Sequence, residues 1–381
     1  MRSSRHFFKY LSQSDRVCPI LVESKWGNDA DPHLDHTHFL LVGPGSLAAL
    51  AKHYRAPPIM RIGMVTYAGF PPDIRIENEA KALVATGHDV IVVANEYSSK
   101  IRVHQLDGIH VRYVRFPSAP FPLASPFHFR KTLKSCDLDV VHMQDAPASS
   151  PVMMAAKTLS LKTVLDLHEA WPLLRFYDPR LRGKRLPLGL GHVLLTSIED
   201  LLSTRMADAV ITIVEEMSDY YRKACRVPRD KMHVVKNVVD LSGFRDAVPA
   251  RLPPGGFYVT YVGGMESYVR NLEPLILAAK LLSDLAEVKF LMIGDGAYRP
   301  VLQQLADRLG VHDKIVFTGR VPRSAALSYL LASDVCVLPH LKTPLTDIGL
   351  PHKLTQYFAA GKPVVSTPLD PVVRMFRKAV Y

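Results

Sequence analysis

From Met60 onward the chain repeats one rhythm: a short apolar run, a turn bearing Gly, Pro, Asp or Asn, then a segment with helical spacing. Runs such as Arg61-Ile-Gly-Met-Val-Thr and Asp89-Val-Ile-Val-Val-Ala have no polar face, so strands made of them must be covered on both sides. Between these two, Ile76, Ala80, Leu83 and Val84 recur at helical intervals over 73–86, and Gly87 stands where that helix would close. Further strands are predicted at 110–115, 139–143, 163–167, 209–213 and 232–235. The rhythm restarts after Arg251-Leu-Pro-Pro-Gly-Gly, with strands at 257–262, 288–293, 315–317, 335–338 and 363–366. Apolar strands alternating with helices give parallel sheets between helical layers. The fold class is therefore α/β, with two Rossmann-like domains, 60–245 and 246–381, facing each other across a cleft. Ligands of such sheets settle at the carboxyl ends of the strands. Residues 1–59 are polar and rich in His, and they read as a poorly ordered N-terminal extension.

Composition removes several classes of function. The 381 residues are 48% hydrophobic and 22% charged, as in an ordinary globular protein of two domains. The four cysteines are far apart in sequence and contain no Cys-x-x-Cys pair, so neither a zinc framework nor a disulfide set is indicated and a reducing cytoplasm is the default. No apolar run approaches the roughly 18 residues of a spanning helix. The 47 Lys and Arg against 36 Asp and Glu give a formal charge of +11, which suits phosphate-bearing ligands, nucleic acid or an anionic membrane face. Base-reading motifs are absent and the basic residues are dispersed, so nucleic acid is not expected as a partner. The dinucleotide fingerprint is also missing: after the first strand, Tyr67-Ala-Gly-Phe-Pro-Pro offers only Gly69, which argues against hydride transfer. His36-Thr-His38 lacks the neighbouring carboxylates or thiols of a metal site, and no metal is expected.

What remains is chemistry at strand ends. Tyr261-Val-Gly-Gly, Ile293-Gly-Asp-Gly-Ala and Leu350-Pro-His-Lys-Leu each carry a strand into a Gly-bearing turn or a helix start, where backbone N–H groups suit a diphosphate. Taken alone, Gly294-Asp-Gly296 reads more simply as a tight turn. His142 and His168 stand at the ends of successive strands and would point to the cleft mouth, and Asp145, Asp166 and Glu169 are the carboxylates near them. Arg175, Arg180, Arg182, Lys184 and Arg185 precede an apolar, helix-compatible stretch at 186–202. That pairing is either a solvated turn with a packed connector or a surface that meets anionic lipid or a phosphorylated acceptor.

The ordered set of these motifs resembles the GT-B glycosyltransferases, specifically retaining family 4. Carrying the resemblance are Met60-Arg-Ile-Gly-Met-Val, Asp139-Val-Val-His, Thr163-Val-Leu-Asp-Leu-His-Glu, Ala207-Asp-Ala-Val-Ile and Lys236-Asn-Val-Val-Asp. Tyr261-Val-Gly-Gly, Ile293-Gly-Asp-Gly, Phe317-Thr-Gly-Arg-Val-Pro and Pro351-His-Lys-Leu-Thr-Gln-Tyr-Phe-Ala-Ala-Gly-Lys-Pro-Val-Val continue it to the second domain. The resemblance implies transfer of a hexose-type sugar, with retention, from a nucleotide-diphosphate sugar to a glycan or lipid-linked acceptor in cell-surface polysaccharide or glycolipid synthesis. It implies no metal and no resident cofactor, and a cytoplasmic protein that is peripheral on the inner membrane face. His168 matches the family's His near the reacting sugar, and Arg270 its phosphate-binding cation. By the same resemblance Gly263, Gly264, Gly294, Asp295, Gly296, Arg320, Gly349, Leu350, Lys353 and Gln356 would hold the donor. Gly69, His142 and Glu169 would meet the acceptor.

The chain departs from the family pattern in places. Where relatives carry two glutamates in the last loop and helix, it has Ile348, with Asp347 beside it, and Gln356. Gly264 stands where many relatives carry an Arg. The sequence also closes at Tyr381, soon after the last predicted strand, which reads as a C-terminal truncation of the second domain. These departures support a second expectation, a non-catalytic remnant or binding protein of the same fold. A third is an epimerase acting on the nucleotide sugar with Asp145, Asp166 or Glu169 as its base.

Overall fold

The computed structural model describes residues 58–376 apart from 72, 99–101, 117–125, 147–148, 179–185, 240 and 267, and the side chains of 242 and 268. The extension read at 1–59 lies almost wholly outside the described residues.

The first domain opens with β1 (Arg61–Thr66), whose residues are buried from Ile62 onward. The chain then turns into α1 (Ile74–Ala85), capped by Asp73, whose carboxylate accepts the Arg75 and Ile76 amides at 3.1 Å each. Gly87, at φ +91°, ends that helix and releases β2 (Asp89–Asn95). There follow β3 (Gln105–Leu106), β4 (Ile109–Val114), α2 (Pro126–Ser135), β5 (Val140–Gln144), α3 (Ser149–Thr158) and β6 (Lys162–Leu167). The domain continues through α4 (Trp171–Phe176), α5 (Leu186–Met206), β7 (Ala209–Thr212), α6 (Glu215–Ala224) and β8 (Met232–Val234). The sheet order is β3-β4-β2-β1-β5-β6-β7-β8, parallel except at the short β3–β4 pair. The chain moves outward from β1 in one direction, then returns to β5 on its other side.

The second domain repeats the plan. After a helical turn, α7 (Ser242–Arg245), come β9 (Phe257–Val262), α8 (Glu273–Leu281), β10 (Val288–Ile293), α9 (Arg299–Leu309) and β11 (Ile315–Gly319). Then follow α10 (Arg323–Ala332), β12 (Val335–Leu338), α11 (His352–Ala359), β13 (Val364–Ser366) and α12 (Asp370–Phe376). This sheet is parallel throughout the described residues, in the order β11-β10-β9-β12-β13. Each sheet therefore has a switch point where strand order reverses, between β1 and β5 and between β9 and β12. The α/β architecture of two parallel sheets is the one expected from the apolar runs.

One apolar cluster runs across both domains, from Val65, Met143 and Leu167 to Leu338, Leu354 and Tyr357. At its rim the Asn237 side-chain amide donates to the Leu350 carbonyl at 2.9 Å. On the outside, Arg374 of α12 pairs with Glu216 at 2.7 Å and with Glu215. These contacts bring the carboxyl edges of the two sheets together, with the start of α11 facing the start of α1.

The loops after β9 and β10 interlock through glycines. Gly294 sits at φ +132°, and a Cβ there would stand 2.1 Å from the Gly263 carbonyl oxygen. We expect Gly294→Ala to destabilise the protein by roughly 1–3 kcal/mol through backbone strain alone. A urea titration would show this as a lowered midpoint with an unchanged slope.

Candidate functional site

The first-domain wall is built on a buried ion pair. Asp166, on β6, is fully enclosed and receives both hydrogen bonds of one Arg75 nitrogen, Nη2, at 2.9 and 2.8 Å. The same nitrogen lies 2.9 Å from Glu79, one turn further along α1. The other terminal nitrogen, Nη1, donates to the Val235 carbonyl and to Asn237 Oδ1, each at 3.1 Å. Burial would raise Asp166, but the Arg75 charge, and then His168, hold it well below the usual carboxylate range. At Glu79 burial dominates and pushes the carboxyl up to about 7. One guanidinium thus serves two carboxylates: Asp166 keeps its charge and Glu79 readily takes a proton.

Above this pair the chain turns toward the cleft. Asp145, at φ +67°, follows β5, and its Oδ1 accepts the amides of His168 and Glu169 at 3.2 and 3.4 Å. His168 Nε2 stands 3.6 Å from Asp166, an ion-pair distance longer than a hydrogen bond. Burial lowers His168, yet the Asp166 charge overrides it and carries the imidazole up to about 9. Glu169 is open to the cleft, with protein on its other sides. That enclosure, followed by the Asp145 charge, pushes its carboxyl up to about 7, while Arg270 of the opposite domain opposes the rise.

The second-domain wall is basic. Lys353, in the first turn of α11, extends past Gly263 and donates to Tyr261 Oη at 2.9 Å. Gly263 sits at φ +146°, and a Cβ there would lie 2.1 Å from Lys353 Cε, so another residue would be strained and would push the lysine aside. Tyr261 in turn donates to the Gly264 carbonyl at 2.9 Å. Arg270, in a helical turn before α8, donates through Nη1 to Nε2 of buried His340 at 2.7 Å. Burial, then Lys353 and Arg270, push His340 down to about 2, so it stays a neutral acceptor. Burial, then Arg270, likewise lower Lys353 well below its ordinary value. Among the described residues no carboxylate stands within ion-pair distance of Arg270 or Lys353.

The structure thus sets His168 and Glu169 opposite Arg270 and Lys353. Several other expected residues are placed differently. His142 does not reach the cleft mouth: it is buried beneath it, 3.6 Å from Asp166 and 3.3 Å from Gln144. The expected cradle of turn amides is largely closed as well. The Gly263 amide donates to Ile293 O at 2.8 Å, that of Gly294 to Gly319 O at 3.1 Å, and that of Gly296 to Asp295 Oδ1 at 2.9 Å. These glycines serve loop-to-loop packing, and the Gly264 amide alone of this group has no acceptor among the described residues. The Gly349 amide is drawn toward Thr346 O at 3.4 Å, and Leu350 is buried with its carbonyl held by Asn237. Asp347 is occupied by Lys342 and the Asp370 amide. Arg320 is exposed beside Asp295, while Gln356 and Gly69 are half-buried.

The sequence reading missed Arg75, Glu79, Tyr261, His340 and His352. His352 opens α11, and burial, then the charges of Arg75 and His168, lower it to about 4. Asp166 and His168 occupy alternate positions at one strand end, a spacing that could have linked them. Ligand atoms of Glu79, His142 and Asp166 lie within 4.8 Å of one another, as a metal site would require. The Arg75 guanidinium already lies against both carboxylates.

Comparisons with known proteins bear on the family and the fold. Residues 74–242 match the family model Glycosyltransferase Family 4, and residues 256–378 match Glycosyl transferases group 1. An uncharacterized glycosyltransferase of Methanocaldococcus jannaschii is 24% identical over 344 residues, 84% of this chain and 84% of that protein. The alpha-monoglucosyldiacylglycerol synthase of Streptococcus pneumoniae is 24% identical over 336 residues, 81% of this chain and 71% of that protein. Among solved structures, Anabaena HepE in complex with UDP-glucose superposes with a TM-score of 0.57 at 15% identity, covering 83% of this chain and 82% of that one.

Two measurements check the ion-pair wall. Because the folded pKa of His168 exceeds its ordinary value of 6.5, its contribution to stability is complete below 6.5 and is lost as pH rises through about 9. In Asp166→Asn the raising charge is gone, and NMR titration should find the imidazole below 6.5. Arg75→Ala removes the main counter-charge of two buried carboxylates and should cost about 3–5 kcal/mol in denaturant unfolding.

Proposed function

The chain belongs to the GT-B glycosyltransferases, related to enzymes of glycolipid and polysaccharide synthesis, and on that footing we propose that it moves a hexose-type sugar from a nucleotide diphosphate to a glycan or lipid-linked acceptor with retention. The observation that carries this reading is the unpaired cation pair, Arg270 and Lys353, at the carboxyl edge of the second sheet. Two neighbouring basic side chains with no carboxylate at ion-pair distance, Lys353 held below its ordinary value by burial and by Arg270, form a site suited to an anion that would restore the lysine's proton. A diphosphate there would also meet the Gly264 amide and the free amides in the first turn of α11. The complex of Anabaena HepE with UDP-glucose supports a nucleotide sugar as that ligand.

In this reading the sugar carbon lies between the walls, beneath His168. The bond from that carbon to the diphosphate breaks, and a bond to the acceptor hydroxyl forms on the same face. The hydroxyl proton passes to the departing phosphate oxygen. Arg270 and Lys353 stabilise the charge that develops on the diphosphate, an effect strengthened in a water-poor cleft. His168, kept protonated by Asp166, orients a sugar hydroxyl, and Glu169 faces the acceptor.

A second reading, a binding protein without turnover, is favoured by the fate of the expected glutamates. Ile348 packs on the shared apolar cluster, and Asp347 is tied to Lys342 at 3.0 Å.

Titration with UDP-, GDP- and ADP-sugars should raise the thermal midpoint with one of them, by about 2.7 kcal/mol of stabilisation at a hundredfold excess over Kd. No shift with any, in a folded sample, would sink the proposal. Stabilisation without sugar release in a chromatographic assay would select the second reading. Arg270→Ala should weaken nucleotide binding roughly ten- to a hundredfold, since a charge-assisted hydrogen bond is lost.

A further inference from the structure

Helix α5 is built inside out. Its buried face is polar: Thr196, Glu199, Asp200, Ser203 and Thr204. Each carboxylate there has partners. Glu199 accepts the Ser150 amide and hydroxyl at 2.6 Å each, and Asp200 accepts the Tyr221 hydroxyl at 2.9 Å. The outward face carries Leu186, Leu188, Leu190, Leu194, Ile198 and Leu202, all exposed, Leu190 by 53% and Leu194 by 62%. From Leu186 to Ile198 it holds no charged residue. A solvated helix normally shows the reverse arrangement, and an exposed contiguous apolar face marks a surface that docks against something.

The position of this face is equally informative. The helix leads into β7, so it runs from the carboxyl edge of the first sheet down to the amino edge. Glu199 touches the first turn of α3, which itself starts beyond the carboxyl end of β5. The dozen residues before Glu199 therefore stand at or past the cleft edge. Short α4, which starts two residues after Glu169, packs on α5 and adds exposed Phe176.

Charge identifies the occupant. Helix α3 joins α5 to α2, and α2 shows Phe127, 79% exposed, followed by exposed Arg130, Lys131 and Lys134 on the same side. None of these three cations has a carboxylate partner among the described residues. An apolar helix face flanked by unpaired cations matches a bilayer whose headgroups are anionic, with the leucines at the acyl boundary. No described helix is long and apolar enough to cross a membrane, and the polar inner face of α5 binds it to its own domain. We propose that the outward face of α5, with the cations of α2, docks the protein on an anionic membrane so that the cleft opens at the lipid surface.

The experiment uses the full chain and needs no nucleotide sugar, so its outcome is independent of the proposed transfer reaction. Cosedimentation is measured with vesicles of phosphatidylcholine alone and of phosphatidylcholine with about one-third phosphatidylglycerol, at low and high salt. Binding should require the anionic lipid and weaken with salt. Leu190→Glu with Leu194→Glu, both at exposed sites, should abolish it while circular dichroism stays unchanged. Lys131→Gln with Lys134→Gln should weaken it roughly thirtyfold, from the usual contribution of a cation near the surface. The proposal is overturned if neither vesicle pulls the chain down, if both do so equally, or if the leucine substitutions leave binding intact. It is also overturned if sedimentation velocity finds a dimer that the same leucine substitutions dissociate, since the face would then belong to a second copy.

Discussion

Nearly everything on the first-domain side of the cleft depends on one guanidinium. Arg75 is enclosed, and it binds Asp166 in two hydrogen bonds, lies against Glu79 and ties the strand end at Val235 and Asn237 to α1. Without it, two carboxylates would be stranded in a medium that penalises their charge. With it, Asp166 stays ionised, and that charge keeps His168 protonated at the mouth. Asn237 carries the same network on to the second domain through the Leu350 carbonyl. The geometry between the domains and the charge state of the cleft therefore have a common origin.

The opposite wall works by a different principle. It gathers basic groups without supplying a counter-charge, and uses glycines to do so. Gly263 gives Lys353 its path, while Gly294 and Gly296 let the β9 and β10 loops interlock. Held by the neutral imidazole of His340, Arg270 is oriented by an acceptor that brings no negative charge. A wall of this kind is electrostatically incomplete by itself, and the proposed anion would complete it.

Much of this fold could be read in the sequence because strands buried on both faces show themselves as unbroken apolar runs. The runs at 61–66, 257–262, 288–293 and 335–338 are matched residue for residue, and the others to within one or two. The placement of His168, Glu169 and Arg270 along the cleft was legible because strand ends and helix starts fix which side of a sheet a residue occupies. The central ion pair was not, since Arg75 and Asp166 lie 91 positions apart and meet only once β1, β5 and β6 are assembled. The turn glycines were read as donors because a sequence records the freedom of a backbone but not the partner its N–H finds. His142 misled in a similar way: it was read at a strand end, whereas it is the middle residue of β5, two short of Gln144, and so lies buried beneath the mouth.

Lys353 has a consequence for how any anion arrives. Its ammonium form is disfavoured by enclosure and by Arg270, and a negative ligand at the same spot would reverse both effects. Anion and proton then favour each other's binding, as linkage requires. Over the pH range separating the two protonation equilibria, the protein draws hydrogen ions from the buffer as the ligand enters. The heat of association would accordingly change with the ionisation enthalpy of that buffer, so the site behaves as an acceptor for a ligand and a proton together.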